Sequence, residues 1–333
     1  MVARRGQLEA AVGVLVLVQG MGCAKLWRMQ PAVIVRQVAV AAMPLIFVLL
    51  WSTGFVGAKY GLPYADPFAF LAVRLALASA LLAGLAALTR SPLPASRAQY
   101  RQAGIVGLML HAGYLGGVFF AIGDGLPASV AAVVVSLQPV LTAALATKLL
   151  GEQLLAAQWA GLGLGIGGVA LVLAPGVAAA TGAGSFPPAA VGACFVALVA
   201  GTAGTVYQKR HGDEIPLLSG TAVQYAAAAL ALLLAAGASE RMTITWTATF
   251  IAALAWLVLA LSLGAVLLLL VLLRRGSASS VSSLFYLVPP ATAFETYLLF
   301  GERLPPVSLA GVALTAVGVA LVLRPPRRTP SPG

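Results

Sequence analysis

The sequence predicts an all-α integral membrane protein with ten transmembrane helices, arranged as two inverted five-helix repeats. Of its 333 residues, 61% are hydrophobic and only 9% are charged, with a mean hydropathy of +0.99. A soluble domain carries roughly 25% charged residues, so most of this surface cannot face water. The apolar residues also occur in runs of about 20, the length that crosses a bilayer as a helix. An internal repeat predicts the two halves.

The apolar runs are continuous rather than alternating, which favours helices over a membrane β-barrel. The predicted spans cover residues 38–58, 67–88, 103–123, 128–148, 157–174, 188–207, 216–237, 249–273, 278–299 and 307–323. Glycines within them, such as Gly161, Gly165 and Gly168, are more typical of close helix packing than of phosphate binding. Cys194 lies in an apolar run and is expected to be a packing residue.

The basic residues predict the orientation. With the N-terminus in the cytoplasm, 16 of the 20 Lys and Arg residues fall in inside segments, three fall outside, and Arg74 lies within a span. This bias predicts that both termini are cytoplasmic, in a bacterial inner membrane. The net charge of +11 is therefore explained by membrane orientation, and nucleic acid is not an expected partner.

The repeat divides the chain. Residues 137–175 and 287–325 are identical at 18 of 39 aligned positions, at an offset of 150. Each repeat contains five spans, and because this number is odd, the second repeat enters the membrane from the opposite side. Inverted repeats of this kind are typical of secondary transporters. The predicted units are an N-terminal extension at 1–37, a first repeat at 38–175, a linker at 176–187, a second repeat at 188–325 and a cytoplasmic tail at 326–333. The extension is expected to be poorly ordered or the product of a mis-assigned start, the alternative being an amphipathic surface segment.

Five stretches resemble the EamA family of the drug/metabolite transporter superfamily. They are WSTGFVGAKYGLPYADP at 51–67, YLGGVFFAI at 114–122, SLQPVLTAAL followed by LLGEQL at 149–154, LVPPATAF, and LLFGERL at 298–304. The resemblance covers about residues 40–325. It implies ten helices, a central cavity between the halves, and the export or exchange of amino acids or other small metabolites.

Polar residues at membrane depth are the candidate substrate site, because such groups usually face a cavity or a partner. Arg74, His111, Gln138 and Gln224 come from four spans at one depth, which suggests a shared aqueous cavity. Arg74 is expected either to hold a carboxylate through its bidentate fork or to bond backbone carbonyls. For His111 the alternatives are a cavity hydrogen bond or proton site, with Tyr114 on the same face, and simple packing.

Six further candidates are less specific. Glu295 is expected to face the cavity, where it could pair with Arg74, or to lie at the interface. Trp51 and Tyr286 could line the cavity, although aromatic residues in spans more often pack or anchor. Pro139 and the Pro289–Pro290 pair break two repeat-related spans, which points to a binding site or to a simple kink.

These features predict a secondary transporter of small metabolites that works by alternating access. A passive channel or facilitator is the alternative, and an intramembrane enzyme is disfavoured because the spans lack clustered His, Cys or carboxylate ligands. No P-loop motif is present. The expected partners are a small-molecule substrate and membrane lipid, with a homodimer left open. No metal ion or cofactor is expected, although coupling to protons would fit the fold class.

Overall fold

A computed structural model describes residues 31–138, 140–142, 145, 156–178, 185–212, 214–265, 268, 272 and 284–322. Its helical segments are α1 (Pro31–Gly61), α2 (Pro67–Leu88), α3 (Arg97–Gly123), α4 (Ala128–Val135), α5 (Ala156–Ala178), α6 (Pro188–His211), α7 (Leu217–Ser239), α8 (Ala248–Ala265), α9 (Val288–Phe300) and α10 (Pro306–Val322). Within these ranges there is no β-strand, and a single isolated bridge joins Ala65 to Ile244.

Seven of these helices are long and apolar enough to cross a membrane: α1, α2, α3, α5, α6, α7 and α8. The segments α4, α9 and α10 are apolar but shorter in the described part of the chain. The all-helical membrane fold is therefore confirmed, whereas ten spans stay a prediction. Helix α1 begins at Pro31, earlier than the predicted domain start at residue 38, and residues 1–30 lie outside the described ranges.

Helix boundaries follow the local chemistry of the sequence. Pro67 occupies the first position of α2, where its missing N–H costs no helical hydrogen bond. Ser96 caps α3 by accepting a hydrogen bond from the Gln99 amide at 3.2 Å. Helix α9 ends at Gly301, whose φ of 64° is the left-handed conformation that glycine adopts most readily.

The connections meet at two opposite ends of the bundle. At the first, here called the Asp66 end, the α1–α2 and α7–α8 connections pair: the Asp66 amide donates to the Thr243 carbonyl at 3.1 Å, and the Thr245 amide to Tyr64 at 2.7 Å. At the second, the Pro92 end, the Ser219 hydroxyl in the first turn of α7 donates to the Pro92 carbonyl at 2.6 Å. This hydrogen bond joins the α2–α3 connection to the start of α7. The repeat-related connections α2–α3 and α7–α8 thus lie at opposite ends.

Helices α5 and α10 pack backbone to backbone. A Cβ added to Gly168 would lie 2.7 Å from the Gly311 carbonyl oxygen, and one added to Gly318 would lie 2.6 Å from that of Gly161. Gly168, late in α5, faces Gly311, early in α10, and Gly161 faces Gly318 in the same way. The two helices therefore run antiparallel. Small residues allow this approach, as the sequence predicted for Gly161 and Gly168.

Helices α3 and α8 change from α-helical to π-helical geometry within the bundle. The π-helical turns cover Leu108–Gly113 in α3 and Trp256–Ala265 in α8. The first range, moved by the repeat offset of 150, falls inside the second. Wide turns of this kind occur frequently at functional sites, because they turn side chains away from the regular helical face.

Candidate functional site

A buried polar network joins α2, α3, α7 and α8 inside the bundle. We call its members the midbundle network: Arg74, His111, Gln224, Tyr225 and Ser262. Arg74, Gln224, Tyr225 and Ser262 are each less than 9% exposed. Two members were not singled out by sequence, because Tyr225 and Ser262 resemble ordinary packing residues in apolar runs. The only sequence signal for Ser262 was a hydroxyl within a span.

Arg74 is incompletely paired. Its Nη2 donates to the Ser262 hydroxyl oxygen at 3.4 Å, and its guanidinium carbon lies 5.8 Å from the centre of the Phe119 ring. Its Nε is buried without a hydrogen-bond partner among the described residues. A guanidinium has five N–H donors in a planar fork, so this side chain retains donors that an anionic ligand could accept.

His111 lies against α7. Its Nε2 is 3.3 Å from the Gln224 side-chain oxygen, and its ring meets the Tyr225 ring edge to face with centroids 4.6 Å apart. Tyr225 and Ser262 lie next to each other, and the Ser262 hydroxyl donates to the Leu257 carbonyl at 3.0 Å. The chain of contacts therefore runs from Arg74 through Ser262 and Tyr225 to the His111 ring.

The network follows the internal repeat. Arg74 and Gln224 occupy equivalent positions on α2 and α7, since they differ by 150. Arg74 contacts the π-helical part of α8, and Gln224 contacts the π-helical part of α3. In each repeat, this position therefore contacts the π-helical turn of the other repeat. The residue at the position is a cation in the first repeat and a neutral amide in the second.

Gln138 and Tyr114 form a separate cluster with α6. The Gln138 amide nitrogen donates to the Thr205 hydroxyl at 2.8 Å and to the Gly201 carbonyl at 3.2 Å. A Cβ on Gly201 would lie 2.9 Å from Tyr114 Cδ2 and 3.0 Å from the Gln138 side-chain oxygen. Gln138 therefore contacts α6, apart from Arg74, His111 and Gln224, with which the sequence groups it. Gly201 lets both side chains approach α6 instead.

His111 and Tyr114, which the sequence places on one face, contact different helices. His111 contacts α7, whereas Tyr114 lies over Gly201 of α6. The reason is the π-helical turn that contains His111, because its wider turn removes the i, i+3 alignment of a regular α-helix.

Glu295 lies on α9 and faces α1, where the Ser52 hydroxyl oxygen is 2.7 Å from its Oε1. Its Oε2 is buried without a partner in the described part of the chain. The predicted pairing with Arg74 is not formed. Two turns further on, Lys59 Nζ instead lies 3.4 Å from Glu302 Oε2.

The remaining candidates are packing or backbone features. Trp51 packs against Phe47 and Phe285, with ring centroids 5.4 and 5.1 Å away. Tyr286 belongs to the 3₁₀ turn Phe285–Leu287 that precedes α9, and Pro289 and Pro290 occupy the first turn of that helix. Pro139 lies outside the described residues. A change of helix type at Pro289–Pro290 fits their missing N–H groups.

Two grooves lie on the surface formed by the described residues. One, of about 770 Å³, lies between α9 and α10 and is lined by Phe294, Leu309 and Arg303 among others. The other, of about 510 Å³, lies among α3, α6 and α7. Neither groove is lined by Arg74, His111, Gln138 or Gln224.

Known proteins resemble the chain over most of its length. It is 28% identical over 280 residues to the uncharacterized transporter YvbV of Bacillus subtilis, covering 83% of this chain and 88% of the relative. It is 30% identical over 288 residues to a probable terminal-alkyne amino-acid exporter of Streptantibioticus cattleyicolor, covering 83% and 91%. The uncharacterized inner membrane transporter YedA of Escherichia coli K12 is 23% identical, covering 82% and 87%.

A solved structure titled only as a crystal structure of a protein shares the fold. It superposes with a TM-score of 0.58 at 19% identity and covers 84% of this chain and 95% of its own. The EamA-like transporter family matches the chain twice in succession, over residues 39–174 and 188–324. The protein therefore belongs to the EamA-like transporter family.

Proposed function

We propose that the protein is a secondary transporter that moves a small carboxylated metabolite, such as an amino acid, by alternating access between two inverted halves. The observation that carries this proposal is Arg74, a buried and incompletely paired guanidinium where α2 meets the second repeat. A cation at membrane depth is costly and is retained where it serves a ligand or a pathway.

A carboxylate substrate fits the unused donors of Arg74. Arginine binds a carboxylate through two parallel N–H···O bonds, which neutralises the charge and fixes the orientation of the ligand. The neighbouring hydroxyl and amide groups of Ser262, Tyr225 and Gln224 can hydrogen-bond other polar atoms of the same molecule. His111 borders this group through Gln224 and Tyr225.

Inverted halves are supported by the packing and by the connections. The repeat-related connections α2–α3 and α7–α8 lie at opposite ends, and α5 and α10 cross antiparallel through equivalent glycines. The excess of basic residues in the predicted inside segments assigns the Asp66 end to the outside of the inner membrane and both termini to the cytoplasm.

Alternating access needs closures at both ends, and Lys59–Glu302 provides one at the Asp66 end. The ion pair connects α1 to the α9–α10 connection, and its Glu302 side chain is only 10% exposed. The repeat places Lys209 and Glu152 at the equivalent positions. In our mechanism this second pair closes the cytoplasmic side when the outer pair opens. Glu152 lies outside the described residues.

The relatives support the class of substrate. One of them is named as an amino-acid exporter, and others are named as transporters. An amino acid carries the carboxylate that Arg74 would bind, and export is the direction that this relative's name gives.

The test compares metabolites in the medium of a deletion strain, the same strain expressing the wild-type chain, and one expressing Arg74→Gln. We expect a carboxylated compound to accumulate outside only with the wild-type protein. The compound is then tested in proteoliposomes under an imposed pH gradient. Accumulation against its concentration gradient supports a secondary transporter, whereas mere equilibration indicates a passive facilitator. Equal export by wild type and Arg74→Gln would contradict the assigned site.

A further inference from the structure

Glu295 differs from the other acidic residues of the described structure because it lies within a predicted membrane span and has no cation partner among the described residues. Glu302 has Lys59, and Glu240 accepts two backbone N–H groups. Glu295 lies seven residues before Glu302, a spacing of about 10 Å along a helix axis, and so lies further from the Asp66 end. Its repeat equivalent is Leu145, so the first repeat has no such carboxyl group.

The hydrogen bonds of Ser52 indicate whether the Glu295 carboxyl group is protonated. The Ser52 hydroxyl oxygen lies 2.9 Å from the Leu49 carbonyl and 2.7 Å from Glu295 Oε1. A serine hydroxyl has one hydrogen to donate. If Glu295 were ionised, Ser52 could satisfy only one of these two acceptors, and Oε2 would be left as a buried, partnerless anionic oxygen.

If Glu295 carries a proton, both close contacts of the Ser52 hydroxyl become hydrogen bonds. The acid then donates from Oε1 to Ser52, Ser52 donates to Leu49, and Oε2 is a neutral carbonyl oxygen. A neutral orphan acceptor is far less costly than an orphan charge in an apolar environment. We infer that Glu295, held by Ser52, is a proton-binding site that couples substrate movement to the proton gradient.

Among the described residues, no cation pairs with Glu295. On α1, Lys59 is paired with Glu302, and Tyr60 stacks on Phe300. The described parts of α4 and all of α10 carry no titratable residue. The other groups on or beside α9 are Tyr286, Tyr297, Glu302 and Arg303. Arg74 donates to Ser262 on α8.

The coupling step is a simple proton transfer. When the path to one side opens, the Oε1–H bond breaks and the proton passes to water. The resulting carboxylate then accepts the Ser52 hydrogen, which leaves the Leu49 carbonyl. Rebinding of a proton from the other side restores the arrangement described above. This inference rests on the proposed transport function for its role in coupling, but the protonation itself can be measured without any substrate.

Infrared spectroscopy of the full chain in proteoliposomes tests the protonation. At neutral pH the wild type should show the carbonyl stretch of a buried protonated carboxylic acid, which shifts in D₂O. Glu295→Gln should lose this band, Glu295→Asp should move it, and Glu302→Gln should keep it. Glutamine copies the protonated acid by donating an N–H to Ser52, so this variant is expected to fold. A band unchanged in Glu295→Gln, or no band in the wild type, overturns the inference.

Uptake of a labelled mixture of L-amino acids into the same proteoliposomes tests the coupling. An imposed pH gradient should drive accumulation by the wild type, and Glu295→Gln should exchange the mixture without any effect of the gradient. Gradient-driven accumulation by Glu295→Gln would overturn the coupling role. If the wild type moves none of the mixture, the proposed substrate class fails, while the infrared result still decides whether Glu295 binds a proton.

Discussion

Gly168 and Gly311 hold α5 and α10 together at backbone distance. A Cβ on Gly168 would stand 2.7 Å from the Gly311 carbonyl oxygen and 2.6 Å from the Thr315 amide nitrogen. Neither group is the flexible end of a side chain, so neither can move aside without shifting a helix. This contact lets the last helices of the two repeats pack without intervening side chains.

We expect Gly168→Ala to destabilise the protein by about 1–3 kcal/mol, because overpacking forces the two backbones apart. The matched control is Gly163→Ala on the same helix, where a Cβ would meet nothing within 4 Å. Alanine has the higher intrinsic helix propensity, so the control should be neutral or slightly stabilising. The measurement is thermal unfolding of detergent-purified protein, and equal melting temperatures for the two variants would contradict the contact.

Sequence predicted this interface better than it predicted the polar site. Gly161 and Gly168 lie in the most strongly repeated part of the chain, and small residues in spans have a direct packing meaning. The contacts of His111 and Tyr114 could not be predicted in the same way, because spacing rules assume a regular α-helix. A π-helical turn has no signature in these residues. The partnership of Ser52 with Glu295 depends on α1 and α9, which are far apart in sequence.

Glu240 caps α2 from the end of α7, and its removal should loosen the Asp66 end. Its two carboxylate oxygens accept the backbone N–H groups of Phe68 and Ala69 at 2.8 and 3.0 Å. Asp66, the residue at the cap position, instead accepts from Thr243. We expect Glu240→Ala to cost about 1–2 kcal/mol, since an anion at a helix N-terminus is lost.

The control for Glu240→Ala is Arg241→Ala, which removes an exposed neighbouring side chain. Thermal unfolding should show a lower melting temperature for Glu240→Ala than for the control. A melting temperature for Glu240→Ala equal to that of wild type would mean that water replaces the carboxylate without loss.

The repeat equivalents Ala95 and Thr245 should face opposite sides of the membrane. Both are exposed, Ala95 beside the Pro92 end and Thr245 at the Asp66 end. Introduced singly as cysteines in a chain lacking Cys23 and Cys194, Thr245→Cys should react with an impermeant maleimide added to intact cells. Ala95→Cys should react only after the cells are opened. Labelling of both from the same side would exclude inverted halves.

Reversing the charges of the Lys59–Glu302 pair should reveal its role as a closure. Lys59 is 33% exposed, and partly exposed pairs contribute about 0.2–1 kcal/mol. Each single reversal, Lys59→Glu or Glu302→Lys, should therefore shift the conformational equilibrium by about 1.4- to fivefold and slow transport. The double reversal should restore the wild-type rate. Additive losses in the double variant would show that the two residues act independently.

Arg74 is the residue whose substitution separates binding from folding most clearly. Arg74→Lys keeps the positive charge but loses the planar fork, so a bidentate carboxylate contact becomes monodentate. The loss of one charged hydrogen bond is about 1.5–3 kcal/mol, which corresponds to a rise in apparent KM of about tenfold or more. The expression level of Arg74→Lys should fall by a smaller factor than its apparent KM rises, because a single lysine is still tolerated at this depth.

Arg74→Gln copies the equivalent residue Gln224 and makes the two halves alike at this position. It should abolish the preference for carboxylated over neutral analogues of the transported compound, while the amide still hydrogen-bonds Ser262. The control is the same pair of changes at Arg101, an exposed residue near the Pro92 end. Competition by carboxylated and neutral analogues in proteoliposomes gives the comparison. If both Arg74 variants kept wild-type KM and preference, the guanidinium would be a structural partner of Ser262 and Phe119 rather than the anchor of the substrate.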